Sequence, residues 1–142
     1  MSKEKHDEQT LQTDMDIAIS TDWIEKLSTI IHEKNVEAGW WNDPESGEDL
    51  RENKYVLGTK ISLIHSEVSE MCEGLRKGLL DNKLPHYPEE YVEAADVFIR
   101  MLDYCGAREI PIGMIIAEKL FYNSQRKDHK IENRVKSGGK IF

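Results

Sequence analysis

The sequence predicts an all-α fold built from four main helices. Apolar residues recur at intervals of three and four over long stretches, which is the spacing of one face of a helix. Segments rich in Asn, Asp, Pro and Gly separate these stretches, and none has the alternation of a convincing strand. The 142 residues suit one domain with a single moderate core.

The first predicted helix begins at Thr21 or Asp22, either of which can cap it. Glu25 stands where a capping box places an acid, and Gly39 is a plausible end. Trp23, Leu27, Ile30 and Ile31 give it an apolar face. The organisation expected is therefore a flexible N-terminal segment over 1–20 and a helical domain over 21–142.

Three further helices follow the loop GWWNDPESGEDLRENK. The second runs from about Lys54 to Leu79, the third from Pro88 to Gly106, and the fourth from Pro111 to about Lys127. The second has an apolar face at Leu57, Ile61, Ile64, Val68, Met71 and Leu75. The third has one at Tyr91, Ala94, Ala95, Phe98, Met101, Leu102 and Cys105, and the fourth at Ile112, Ile115, Ile116 and Leu120.

The charge balance excludes one class of partner. With 19 Lys and Arg against 27 Asp and Glu, the net charge is −8, so a diffuse electrostatic surface for nucleic acid is not expected. A polyphosphate remains possible if metal cations bridge the charges. The sequence has no apolar run of about 18 residues and no apolar signal-peptide core. We therefore expect a cytoplasmic protein in which Cys72 and Cys105 are reduced and buried.

Two pairs of acids with the same spacing stand out in the middle of the chain. Glu67 and Glu70 are three apart on the second helix, and Glu93 and Asp96 are three apart on the third. A single pair of this kind is most often a solvated helix face. Two pairs on adjacent helices can bring four carboxylates together, which repel unless cations bind. Mg²⁺ prefers such oxygen ligands, so a solvated face and a metal site both remain open on these grounds.

The arrangement resembles the four-acid motif of MazG-like all-α nucleoside triphosphate pyrophosphohydrolases. Glu67-x-x-Glu70, a spacer of 22 residues and Glu93-x-x-Asp96 match it. The likeness covers about residues 21–135, including the GWW loop, LIHSEVSEMCEGLRKG and NSQRKDHKIENR. Some members carry an extra acid just before the first glutamate, where this chain has Ser66, which leaves the number of metal ions open.

The resemblance implies a fold, an activity and a cofactor. The fold is a four-helix bundle that assembles as a homodimer or tetramer. The activity is cleavage of a nucleoside triphosphate between its α and β phosphates, with Mg²⁺, or Mn²⁺ in its place, as cofactor. It implies that Glu67, Glu70, Glu93 and Asp96 are the metal ligands and that Glu70 orients or deprotonates the attacking water.

Candidate substrate contacts lie on both sides of the acids. Lys119, Asn123, Arg126 and Lys130 form a row at helical spacing, which is either an exposed polar face or a phosphate-binding row, and the resemblance favours the second. Lys60 lies two turns before Glu67 and either contacts phosphate or pairs with an acid. Trp40 and Trp41 offer a ring for a nucleobase, or cover the end of the bundle.

Two other interpretations compete with the enzyme. One is a non-catalytic helical module that binds a nucleotide or a protein through its acidic groove, and the other is a purely structural bundle whose acids favour solubility. The preferred base and sugar, and the biological role, do not follow from the sequence.

Overall fold

The computed structural model describes the backbone of residues 3–136 and the side chains of residues 16–136 except Ala18, His129 and Arg134. The helices are α1 (Lys3–Glu37), α2 (Lys54–Lys77), α3 (Glu89–Ala107), α4 (Ile112–Gln125) and α5 (Ile131–Arg134), with a 3-10 turn at Lys127–His129. The described residues contain two isolated antiparallel bridges but no strand, so the all-α class is confirmed. None of the described helices has the length and apolar character needed to cross a membrane.

The predicted start of the first helix is wrong. The helix begins at Lys3, so Thr21 and Asp22 lie in its interior. No glycine or proline occurs before Gly39, and therefore no residue interrupts the helix near residue 21. The hydroxyl of Ser20 donates to the carbonyl of Asp16 at 2.7 Å, which satisfies it within the helix instead of at a cap. The mobility expected of residues 1–20 and the single domain over 21–142 stay predictions.

The chain divides into two compact units, one of residues 26–110 and one of residues 1–25 with 111–142. In the first unit, α2 packs along α3, and the last part of α1 packs on α3. Ser28 on α1 donates to the carbonyl of Leu102 at 2.7 Å. Gly106 permits this approach, because a Cβ at that position would lie 2.5 Å from the Cβ of His32. The apolar core of this unit contains Trp41, Ile64, Leu102, Cys105 and Ala107.

Most of the predicted apolar faces are not buried within the described structure. Ile64 is buried on α2, whereas Val68 and Leu75 are exposed. The buried positions of α2 are Ile64, Glu67 and Gly74, so its inward face includes an acid that the apolar spacing placed on the flank. The other exposed members are Trp23, Leu27, Ile30, Ile61, Tyr91, Ala95, Phe98, Met101, Ile115 and Leu120. Cys105 is buried as expected, but Cys72 is exposed, which corrects that prediction.

In the other unit, a carboxylate of α1 caps α4. Glu25 accepts hydrogen bonds from the backbone nitrogens of Gly113 at 2.9 Å and Met114 at 3.4 Å, where a helix start has unpaired donors. A Cβ at Gly113 would lie 2.4 Å from the carbonyl oxygen of Thr21, so glycine is required there. Glu25, predicted to complete the cap of its own helix, thus caps a different helix. The loop predicted around Gly138 and Gly139 lies outside the described residues.

Candidate metal centre

Close contact between α2 and α3 positions the acids. A Cβ at Gly74 would lie 2.9 Å from the backbone nitrogen of Glu90, so the end of α2 lies against the first turn of α3. Asn53 caps α2 by accepting from the backbone of Tyr55 and Val56, and Gly78 ends it with φ 65°. These helix ends fix where each predicted acid falls along the shared contact surface.

Three of the four predicted acids converge on one point. A carboxylate oxygen from each of Glu67, Glu93 and Asp96 lies within 4.8 Å of the others, and we call these residues the acidic cluster. Glu67 is 5% exposed and Glu93 is 8% exposed, while Asp96 is half-buried. These three candidate ligands come from two turns of α3 and one of α2, and all offer oxygen. A hard divalent cation such as Mg²⁺ fits this donor set.

Burial and neighbouring charge make the acidic cluster electrostatically costly without a cation. Burial raises the pKa of Glu93 from 4.5 to about 7, and a hydrogen bond with Glu67 adds to the shift, as do the charges of Glu70, Glu67 and Asp96. Within the described part of the chain, Glu93 Oε2 is buried with no hydrogen-bond partner. A buried oxygen without a donor is unusual and fits a group that receives a ligand.

Glu70 is not among the three converging acids. Its side chain is exposed, although its charge contributes to the raised pKa of Glu93. The structure therefore places Glu70 within electrostatic range of the acidic cluster but open to water. Its predicted roles as a ligand and as the catalytic residue stay predictions.

Arg100, which is not among the predicted site residues, lies against the acidic cluster. Arg100 Nε is 2.6 Å from Glu67 Oε1, with Arg100 41% exposed and Glu67 7% exposed at the side chain. That nitrogen makes no well-aligned hydrogen bond, so the contact is an ion pair by distance alone. Arg100 follows Asp96 by four and Glu93 by seven residues, so helical spacing places it on the same face.

A second buried network holds two of the predicted substrate residues. Asp103, 4% exposed, accepts from Trp41 Nε1 at 2.8 Å and lies 3.0 Å from His32 Nδ1. Lys60 Nζ is 3.8 Å from Asp103 Oδ2 and 4.2 Å from the centre of the Trp41 ring. Burial lowers the pKa of Lys60, Asp103 opposes this, and Arg100 adds to it. We call these residues the Asp103 network.

The two tryptophans have different environments. Trp41 is 1% exposed, with Lys60 over its ring and His32 edge-on at 5.6 Å between ring centres. No face of its ring is open to a base, so the structure argues against the substrate contact predicted for Trp41 and supports its structural alternative. Trp40 is 68% exposed and remains the candidate for stacking.

A cavity of about 360 Å³ lies beside the acidic cluster, in the unit of residues 26–110. Its charged and aromatic lining consists of Trp40, Lys60, Lys83, Asp96, Arg100 and Asp103. Three of these side chains are cations, two are carboxylates and one is an exposed tryptophan, so cations are in the majority among the charged groups. Asp96 lines the cavity and belongs to the acidic cluster, and Arg100 lines the cavity and pairs with Glu67 of that cluster. A ligand in this cationic cavity would therefore adjoin the carboxylates.

The predicted phosphate row belongs to the other unit. Lys119 Nζ lies 4.7 Å from the centre of the Tyr122 ring. Arg126 makes a two-point contact with Asp128, at 3.0 Å from Nε and 2.6 Å from Nη2, which raises the pKa of the guanidinium. Asn123 Oδ1 is buried with no partner in the described residues. The phosphate contacts predicted for this row stay predictions.

The sequence contained signals for some of these residues. The spacing of the acids gave three members of the acidic cluster. The spacing of Arg100 from Asp96 was also present, but an acid and a base four apart on a helix usually mark a surface ion pair. Nothing periodic links Asp103 to His32 and Trp41, which lie 71 and 62 residues away.

Comparisons with protein-family models, with curated proteins and with solved structures find no match for this chain.

Proposed function

We propose that this chain is a Mg²⁺-dependent nucleoside triphosphate pyrophosphohydrolase of the MazG-like family, which forms a nucleoside monophosphate and pyrophosphate. The observation that carries the proposal is the acidic cluster, contributed by two helices, at the wall of the cationic cavity. Carboxylates that take a metal beside cations that take phosphate are what hydrolysis of a metal–triphosphate complex requires.

The ligands proposed for Mg²⁺, or for Mn²⁺, are Glu67, Glu93 and Asp96, with Glu70 at the exposed side. The buried and unpartnered Glu93 Oε2 supports this assignment. When bound, the cation neutralises the phosphates and polarises the phosphoryl group under attack. Because Glu70 is open to water and close enough to act on Glu93, we assign to it the orientation of the attacking water.

Within the same unit, Lys60 and Lys83 line the cavity as candidate contacts for phosphate oxygens, and Trp40 offers an exposed ring for a base. Lys119, Asn123 and Arg126 remain proposed phosphate contacts on the strength of the family resemblance alone.

Self-association is part of the proposal. Large apolar side chains on α2 and α3, among them Leu75 at 67% and Phe98 at 69%, are exposed at positions where helical spacing predicted burial. A helix face of this kind is typical of a surface covered by another subunit. We therefore propose a homodimer or a tetramer, to be checked by sedimentation.

The test is a panel of ribo- and deoxyribonucleoside triphosphates incubated with Mg²⁺ or with EDTA. We expect Mg²⁺-dependent release of pyrophosphate and monophosphate from at least one nucleotide. Glu70→Gln should lower that rate by about a hundredfold or more, as loss of a general base does. Glu33→Gln, an exposed acid on α1, is the matched control and should keep the wild-type rate.

Two outcomes oppose the proposal. Cleavage of no nucleotide with any divalent metal would contradict it, and so would a wild-type rate in Glu70→Gln. A nucleotide or a metal that raises the melting temperature without turnover would instead support the non-catalytic binding module.

A further inference from the structure

Arg100 is a cation that lies against the acidic cluster, the site proposed above for a metal cation. Helical spacing places its side chain on the same face of α3 as Glu93 and Asp96, and its Nε is 2.6 Å from Glu67 Oε1. Like Asp96, it also lines the cationic cavity, where Lys60 and Lys83 are the other cations. One guanidinium group thus contacts Glu67 of the acidic cluster and also lines the cavity in which a phosphate would bind.

The ion pair only partly satisfies the acidic cluster. Three carboxylates converge within 4.8 Å, and Arg100 makes its ion pair with one of them, Glu67. Glu93 Oε2 stays buried with no hydrogen-bond partner among the described residues, and Arg100 Nε makes no well-aligned hydrogen bond. Arg100 therefore reduces the repulsion among the acids, but it does not provide the hydrogen bonds or metal–oxygen contacts that their buried oxygens could accept.

We propose that Arg100 is a built-in counter-ion of the acidic cluster, that a divalent cation displaces it from Glu67, and that the released guanidinium then binds a phosphate group in the cavity. Arg100 Nε lies at ion-pair distance from Glu67 Oε1. A metal cation bound to the same oxygen would repel the guanidinium group. The inference rests on metal binding by the acidic cluster and not on the hydrolysis proposed above.

The exchange would couple the metal to the phosphate. Metal binding alone has to break the Arg100–Glu67 pair, so its affinity is reduced. A phosphate in the cavity compensates by pairing with the freed guanidinium, whose planar donors suit phosphate oxygens. Arg100 is thereby a positioning residue with two effects. In the metal-free protein it partly neutralises the buried carboxylates, and in the presence of metal it makes metal and phosphate bind cooperatively.

Calorimetry on the full chain at pH 8 tests the competition directly. We expect Arg100→Gln to bind Mn²⁺ about threefold to tenfold more tightly than wild type, the effect of removing a partly exposed charge pair that competes. Inorganic pyrophosphate titrated in the presence of saturating Mn²⁺ should bind more weakly to Arg100→Gln by a similar factor. Arg108→Gln is the control, because Arg108 is the residue that directly follows the same helix and it pairs with the exposed Glu52. Mn²⁺ affinity that is unchanged or lower in Arg100→Gln would overturn the proposal.

A second measurement keeps the test valid if Arg100→Gln does not fold. In ¹⁵N-labelled wild type, the Nε–Hε resonance of Arg100, assigned by its loss in Arg100→Lys, should move when diamagnetic Mg²⁺ is added. A resonance that stays in place while Mg²⁺ raises the melting temperature would overturn the displacement. Neither experiment measures turnover, so a protein that releases Arg100 but cleaves no nucleotide would refute the proposed function alone.

Discussion

Replacement of Glu93 by glutamine should stabilise the metal-free protein at pH 8. Glu93 is 8% exposed, and its pKa is raised from 4.5 to about 7 by burial and by neighbouring acids. Its ionised form is therefore disfavoured in the folded state. At about 1.4 kcal/mol per pKa unit, the shift corresponds to a destabilisation of up to about 3 kcal/mol once the group is ionised. Glutamine has the same shape but no charge, so it should recover much of that free energy.

The raised pKa of Glu93 determines how the free energy of unfolding changes with pH. Between pH 4.5 and about 7 the folded state holds the Glu93 proton more tightly than the unfolded state does, so stability falls as pH rises through this range. Well below pH 4.5 Glu93 is protonated in both states, so wild type and Glu93→Gln should have similar free energies of unfolding. The difference between them should grow up to about pH 7 and stay constant above it.

The assay is urea denaturation in EDTA at several pH values, for wild type, Glu93→Gln and the control Glu33→Gln. A Glu93→Gln protein that is no more stable than wild type at pH 8 would refute the electrostatic reasoning. With Mg²⁺ at 1,000 times its Kd the order should reverse, because wild type then gains about 4.1 kcal/mol. The variant, lacking one ligand, should gain much less.

Two further predictions concern the packing that supports the site. Asp103→Ala should lower the free energy of unfolding by about 3 kcal/mol, because the buried Trp41 Nε1–H loses its acceptor. Urea denaturation measures this loss, and a value below about 1 kcal/mol would show that the Trp41–Asp103 hydrogen bond contributes little. Gly106→Ala should cost about 1–3 kcal/mol, since its Cβ would lie 2.5 Å from that of His32. Gly58→Ala, in the interior of α2 with nothing within 4 Å of its Cβ, should instead gain about 0.5–1 kcal/mol. Equal melting temperatures for the two glycine variants would contradict the account of close packing.

The fold class could be predicted because helical periodicity is local. α2 and α3 begin and end within about two residues of the predicted limits, where Asn53, Gly78 and Pro88 act on the backbone directly. The start of α1 could not be predicted, because Thr21 and Asp22 have the chemistry of a helix cap and occur here inside a helix. A capping residue predicts a helix end only where the preceding residues cannot extend the helix.

The site was partly predictable for the same reason. The spacing of Glu93 and Asp96 predicts that they lie on one face of α3, and Glu67 on the adjacent α2 lies close to both. Burial was harder to predict, because Val68 is exposed while Glu67, the residue before it, is buried. Apolar periodicity alone predicts the reverse, with Val68 buried and Glu67 exposed. Contacts such as Trp41 to Asp103 join distant parts of the chain and have no local signal.

The most direct test of the account is the position of the metal. Crystals grown with Mn²⁺ and a non-hydrolysable nucleoside triphosphate analogue should give an anomalous peak about 2.2 Å from carboxylate oxygens of Glu67, Glu93 and Asp96. The phosphates should lie in the adjoining cavity with Lys60 and Lys83. A bound nucleotide with no manganese peak between these carboxylates, or with the peak elsewhere, would contradict the proposed metal centre.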